Sequence, residues 1–181
     1  MSRLVAPGLE TLSAELMQPL WSPPHEEPIV FHCWRGGLRS RSVVHFLRSV
    51  GCARATLLDG GWKAYRAEVS SELDGWRAPP VVVLRGLTGV GKTLVLREVE
   101  RLRPGCTLDL EACAGHRSSL LGMVGLAPVS QKSFETRLAE RLRAVAGAPF
   151  LVFEGESRKV GSRIVPERVW RALCEGRNLE L

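Results

Sequence analysis

The sequence predicts an α/β protein built as two short units, each with strands that run parallel. Three observations carry this. Short apolar runs of strand length alternate with stretches of helical period. Two glycine-rich loops, one around Gly36-Gly37 and one from Gly86 to Thr93, each lie between a predicted strand and a predicted helix, where parallel α/β sheets place such loops. The length of 181 residues, with 45% hydrophobic and 24% charged residues, allows one ordinary domain or two small ones. It also excludes a disordered or collagen-like chain.

Taken in order, Glu10 to Leu20 reads as a helix broken by Pro19, and Pro23 to Pro28 as a loop. Ile29-Val30-Phe31-His32 is a short apolar run, the pattern of a buried strand. A helix is predicted from about Ser40 to Val50, because Val43, Val44, Phe46, Leu47 and Val50 recur at helical spacing, with Gly51 as its cap. Thr56-Leu57-Leu58 reads as a second strand, Asp59-Gly60-Gly61 as a turn, and Trp62 to Leu73 as a helix. Asp74 to Pro80, with Gly75, Pro79 and Pro80, is the predicted linker, giving units at 1–75 and 76–181. Beyond it come a strand at Val81–Leu84, a helix after Lys92, a strand over Cys106–Leu110, a helix over Lys132–Val145 and a buried strand at Phe150–Phe153.

The net charge is +6. Residues 1–79 carry 9 Lys/Arg against 8 Asp/Glu, and residues 80–181 carry 16 against 11. The basic excess therefore lies in the second half, which suits phosphates or nucleic acid. The five cysteines form no CxxC and are odd in number. They suggest neither a disulfide framework nor a zinc site, and no metal-ligand set is predicted from them. The apolar runs are too short to span a bilayer and residues 1–12 hold no secretory pattern. A soluble, cytoplasmic protein with no membrane partner is expected.

In the first loop, His32-Cys33-Trp34-Arg35-Gly36-Gly37-Leu38-Arg39-Ser40, a cysteine ends a strand and Arg39 opens a helix. Such a loop can curl around the sulfur with its backbone N–H groups inward, joined by the positive end of the helix dipole. Arg35 and Arg39 add cationic donors. The thiol pKa should fall, making Cys33 a nucleophile beside an anion site. The spacing Cys-x5-Arg-Ser resembles the tyrosine and dual-specificity phosphatases, and equally the rhodanese-like domains, whose cysteine carries a sulfur or selenium atom. Leu57 to Tyr65 resembles the strand, Gly-Gly turn and helix that close a rhodanese domain. A phosphatase would want a general-acid Asp on a separate loop, and Asp59 is not placed for that.

The second loop, Gly86-Leu87-Thr88-Gly89-Val90-Gly91-Lys92-Thr93, matches G-x-x-x-x-G-K-[ST] at every defined position. It follows a predicted strand and opens a helix, the context in which such a loop cradles phosphates at a helix N-terminus. Lys92 would neutralise the terminal phosphates and Thr93 would help hold Mg²⁺. A strand-end acid usually completes such a metal site. Glu154, with Glu156 two residues on, has that position, while Asp109 and Glu111 compete for the role.

Together the two loops resemble the tRNA 2-selenouridine synthase family, in which a rhodanese-like domain is fused to a P-loop domain in this order. Five ordered blocks carry the resemblance, from about Pro28 to Pro166: the cysteine loop; Gly60-Gly61-Trp62-Lys63-Ala64-Tyr65-Arg66; Asp109-Leu110-Glu111 with His116-Arg117-Ser118-Ser119; Ser130-Gln131-Lys132 with Phe134-Glu135; and Glu154-Gly155-Glu156-Ser157-Arg158-Lys159-Val160-Gly161. Ser118 stands where the family usually has Gly. The resemblance implies a partial rhodanese-like domain followed by a partial P-loop NTPase-like parallel α/β domain, both short of the family's usual length, so that the chain is expected to be a fragment, an inactive remnant or half of a split enzyme. It implies replacement of sulfur by selenium in the wobble 2-thiouridine of tRNA, with selenophosphate as donor, through an S-geranylated uridine made from geranyl diphosphate. Cys33 would be the nucleophile, Arg35 and Arg39 would hold the anionic donor, and the loop from Gly86 to Thr93 would bind prenyl diphosphate or, with Mg²⁺, a nucleotide. His116, Arg117 and Lys132 would touch substrate or tRNA phosphates. tRNA and a selenophosphate-supplying enzyme are the partners implied. A non-catalytic P-loop protein that binds a nucleotide, and a Cys33-dependent phosphatase, are the alternatives.

Overall fold

The computed structural model describes residues 27–115 and 129–181. The expected helix at Glu10–Leu20, most of the loop at Pro23–Pro28, and His116 and Arg117 lie outside them. The chain divides into two compact units, one ending at Ala67 and the other beginning at Glu68.

In the first unit, β1 (Ile29–Phe31), α1 (Leu38–Ser49) and β2 (Ala55–Leu57) form one parallel crossover, with Ile29 opposite Ala55 and Phe31 opposite Leu57. The core is Val44, Leu47, Cys52 and Ala55, packed against Ile29, Phe31 and Leu57. Of the five apolar residues expected on the buried face of α1, only Val44 and Leu47 are buried; Val43, Phe46 and Val50 are exposed, and Phe46 shows 65% of its surface. The period fixes a helix but this stripe is wider than the two-stranded sheet it covers. Gly51 ends the helix with φ +96°, a left-handed conformation open to glycine.

Helix α2 (Gly61–Gly75) runs two residues past the expected end at Leu73, so the irregular backbone begins only at Trp76. The division between the units falls inside this helix. In the second unit, β3 (Val81–Arg85) leads into α3 (Lys92–Leu102), then β4 (Thr107–Leu108), α4 (Leu110–Ala114), α5 (Gln131–Ala144) and β5 (Leu151–Glu154). A hairpin of β6 (Lys159–Val160) and β7 (Arg163–Ile164), α6 (Glu167–Glu175) and β8 (Arg177–Glu180) complete it. The sheet order is β4-β5-β3-β8 and every pairing is parallel.

The expected strand over Cys106–Leu110 shrinks to two residues. Asp109 explains this: its carboxylate accepts the Ala112 N–H at 2.8 Å and so caps α4, turning the chain into a helix at Leu110. Val82 and Leu84 pack with Leu96, Val95 and Val99 of α3. On the alternate residues, a Cβ at Gly176 would lie 2.8 Å from Val81 and Val83 side-chain carbons, so the end of α6 meets the opposite face. A parallel strand covered on both faces reads as a continuous apolar run, as Val81-Val82-Val83-Leu84 does.

Candidate functional site

The cysteine loop is held by the turn that follows β2. The Trp62 N–H donates to the Cys33 carbonyl at 3.0 Å and the Lys63 N–H to the Trp34 carbonyl at 2.9 Å. These two donors belong to the first turn of α2, where helical N–H groups have no partner in their own helix. The helix thus takes the carbonyls of the loop, leaving loop N–H groups to face the sulfur. Gly61 sits at φ +62°, and a Cβ there would collide with the Cys33 carbonyl and the Gly36 nitrogen. A Cβ on Gly36 would come within 2.9 Å of the Gly60 and Gly61 nitrogens. Backbone meets backbone, and only glycine fits. His32 stacks on Trp62 at 5.7 Å between ring centres, pinning the strand end to the same helix.

Around the half-buried sulfur, Gly37 donates its N–H to Cys33 Sγ at 3.2 Å and Ser40 its hydroxyl at 3.3 Å. The Ser40 hydrogen bond, joined by backbone donors at Arg35, Gly37 and Ser40, lowers the thiol from 9.0 to about 6 against the opposing effect of burial. Cys33, Trp34, Arg35, Gly37, Leu38 and Arg39 line a cavity of about 400 Å³. Arg35 and Arg39 are exposed and have no ion-pair partner among the described residues. The arrangement offers a thiolate at neutral pH with two exposed guanidinium groups beside it. Ser40, which the sequence reading left without a role, is the added member; its signal was its place directly after the Arg of Cys-x5-Arg.

The second glycine loop connects β3 to α3. Gly91 precedes the helix at φ +97°, and no side chain caps it. The first-turn N–H groups of α3 are therefore directed at the loop, with no acid in that turn to compete for them. Lys92 Nζ donates to the carbonyls of Gly86 and Leu87, each at 3.0 Å, so its charge lies across the loop. Thr88 and Gly89 are exposed at its tip.

Strand register brings an acid to this loop. β5 pairs with β3 so that Glu154 lies opposite Leu84, and Thr93 Oγ1 donates to Glu154 Oε2 at 2.9 Å. Burial raises the Glu154 pKa, the Thr93 hydrogen bond opposes this, and the charges of Glu111 and Asp109 push it further up. Of the competing acids, Glu154 is the one bonded to Thr93; Asp109 spends an oxygen on capping α4. Glu156 is buried. Lys132 is exposed in the first turn of α5, which Ser130 caps. A hydroxyl and a carboxylate beside the first-turn N–H groups of α3 form a hard-oxygen donor set of the kind Mg²⁺ takes.

Two family models match the chain, one over each loop. A family model described as tRNA 2-selenouridine synthase AAA domain matches residues 79–181, more than half of the chain. The chain belongs to that family. A rhodanese-like domain model matches residues 4–68, so both halves of the expected architecture are present. The tRNA 2-selenouridine synthase of Chromohalobacter salexigens is 37% identical over 145 residues, covering 80% of this chain and 38% of its own. That of Pseudomonas syringae pv. syringae is 39% identical over 145 residues, 78% of this chain and 38% of its own. That of Psychromonas ingrahamii is 35% identical over 143 residues, with the same coverage. The chain spans under two-fifths of the length of these relatives. No solved structure is a significant match. Among the described residues no helix is long and apolar enough to cross a membrane.

Proposed function

We propose that the chain carries the nucleophile and the phosphate site of a tRNA-modifying enzyme that exchanges sulfur for selenium in wobble 2-thiouridine. The observation that supports this best is the sulfur of Cys33, held by Gly37 and Ser40 with a pKa of about 6 and flanked by two exposed arginines, in a chain of this family. A thiol of that acidity is mostly ionised at neutral pH and attacks without a general base.

In this reading the Cys33 thiolate takes the selenium, forming an S–Se bond as the Se–P bond of selenophosphate breaks and its electron pair leaves on phosphorus as phosphite, while Arg35 and Arg39 hold the anionic donor by charge-assisted hydrogen bonds. The N–H groups at the start of α3 and Lys92 hold a diphosphate, that of geranyl diphosphate for an S-geranylated uridine or that of a nucleotide. Thr93 and Glu154 would hold Mg²⁺, which supplies neutralisation of phosphate charge when bound. Glu111 and Asp109 keep the surroundings of Glu154 acidic. Lys132, with His116 and Arg117, contacts the tRNA backbone. The reaction is cytoplasmic, and a selenophosphate-supplying enzyme is a partner.

The test is to incubate the purified chain with selenophosphate and read the mass of the Cys33 peptide, alongside tRNA binding across a salt series. Selenium on Cys33 and a tRNA affinity that falls steeply with salt are expected. A selenium-free Cys33, or tight nucleotide binding with no tRNA binding, would overturn the reading.

A further inference from the structure

The cavity beside the Cys33 sulfur has two chemistries in its wall. Arg35 and Arg39, four residues apart, bring charge, while Trp34 and Leu38, at the same spacing, bring apolar surface to the same space of about 400 Å³. Leu38 is 83% exposed and Trp34 51%. Trp62, next to the same loop, has His32 and Tyr65 against its ring instead. Single exposed apolar residues are ordinary on a protein surface. Two that border one cavity with an ionised thiol are not accounted for by the anion beside them. A phosphate-like oxyanion is recognised by charge and by N–H donors, which Arg35 and Arg39 already provide. An indole and an isobutyl group add nothing to its binding. They fit a second reactant, one with a flat and weakly polar face.

We propose that Trp34 is the residue that receives the pyrimidine base at the Cys33 site, its indole stacking on the ring that carries the exchangeable sulfur and Leu38 packing against that ring. Aromatic side chains hold unpaired bases in this way, through the π-face that every base presents. The backbone fixes where the indole starts. Trp34 directly follows Cys33, and its carbonyl accepts the Lys63 N–H at 2.9 Å, just as the Cys33 carbonyl accepts that of Trp62 at 3.0 Å. One helix end thus anchors both the nucleophile and the stacking residue. The oxyanion and the base, which have to meet at the sulfur, each have their own pair of side chains in one wall. The inference rests on reading the Cys33 site as one that acts on a tRNA uridine.

The experiment measures binding of two fluorescein-labelled anticodon stem–loop RNAs to the purified chain by fluorescence anisotropy. One carries 2-thiouridine at the wobble position and the other an abasic residue there; they are otherwise identical. Wild type should bind the first about five- to hundredfold more tightly, the range for stacking one base on an aromatic side chain. Trp34→Ala should lose that preference and bind both RNAs as wild type binds the abasic one, which also shows that the variant is folded. Trp34→Phe, which keeps a flat ring, should recover most of the preference, whereas Trp34→Leu, which keeps only apolar bulk, should not. Wild type that binds both RNAs equally overturns the stacking and leaves the reaction at Cys33 standing. So does a preference that Trp34→Ala keeps, or one that Trp34→Phe fails to recover. Wild type that binds neither RNA overturns this inference together with the reading on which it rests.

Discussion

Thr93 and Glu154 are 61 residues apart in sequence, yet the Thr93 hydroxyl donates to the Glu154 carboxylate at 2.9 Å. The parallel register of β3 and β5 makes the contact, because it sets the last residue of β5 level with the strand that feeds the glycine loop. The carboxylate is half-buried and has two acidic neighbours, so its charged form is disfavoured in the fold. Its pKa is raised above 4.5, so the unfolded chain ionises first as pH rises, and stability falls across that window. Glu154→Gln should therefore melt higher than wild type at pH 7, and the gap should close below about pH 4. The same variant should lose Mg²⁺-dependent pyrophosphate binding. Thermal melts at the two pH values, with a binding titration, check both.

Lys92 donates to two carbonyls of its own loop, those of Gly86 and Leu87. Lys92→Ala should weaken pyrophosphate binding by about ten- to hundredfold, the range for one hydrogen bond between charged groups. Titration calorimetry measures this.

Gly61 closes the cysteine loop from the far side. Gly61→Ala adds a methyl group into the Cys33 carbonyl and the Gly36 nitrogen at a positive φ. The backbone strain alone is about 1–3 kcal/mol. The first unit should unfold at lower urea, and Cys33 should lose its reactivity at pH 6 as the loop is pushed off the start of α2.

The acidity of Cys33 is also a stability statement. Its folded pKa of about 6 lies below the ordinary 9.0, so its contribution is fully present above pH 9 and is lost as pH falls through 6. The urea midpoint of wild type should therefore rise between pH 6 and pH 9 relative to Cys33→Ser. A constant difference between the two across that range would contradict the assignment of an acidic thiol.

Much of this was legible in the sequence, and the failures have physical causes. β3 and β5 are apolar runs largely buried by their neighbours, and both glycine loops follow strands, so local pattern and tertiary role agree there; β1 is a strand as its pattern predicts but not a buried one, because only β2 pairs with it and Val30 is half exposed. β8 escaped because Arg177-Asn178-Leu179-Glu180 is exposed at every position; its strand geometry comes from pairing with the edge of β3, which no alternation of residues records. The β6–β7 hairpin, two residues a side, is held by Gln131, whose amide both donates to and accepts from Ile164 at 2.9 Å. That is tertiary information too. At the cysteine site the sulfur, the two arginines and the glycines could be read, whereas the role of α2 could not. Its N–H groups reach back to Cys33 and Trp34 from a segment that reads only as the next helix. In the sequence Glu154 has the form of the strand-end acid but Asp109 and Glu111 compete for the role; the strand order places Glu154 beside the loop.

The central claim is that this chain takes part in selenium chemistry at the wobble uridine. It is tested most directly by expressing the chain in a host that lacks its own 2-selenouridine synthase and analysing the wobble nucleosides of its tRNA by mass spectrometry. 2-Selenouridine or S-geranylated 2-thiouridine is expected in that digest, with 2-selenouridine lost in Cys33→Ser. A digest with neither nucleoside would contradict it.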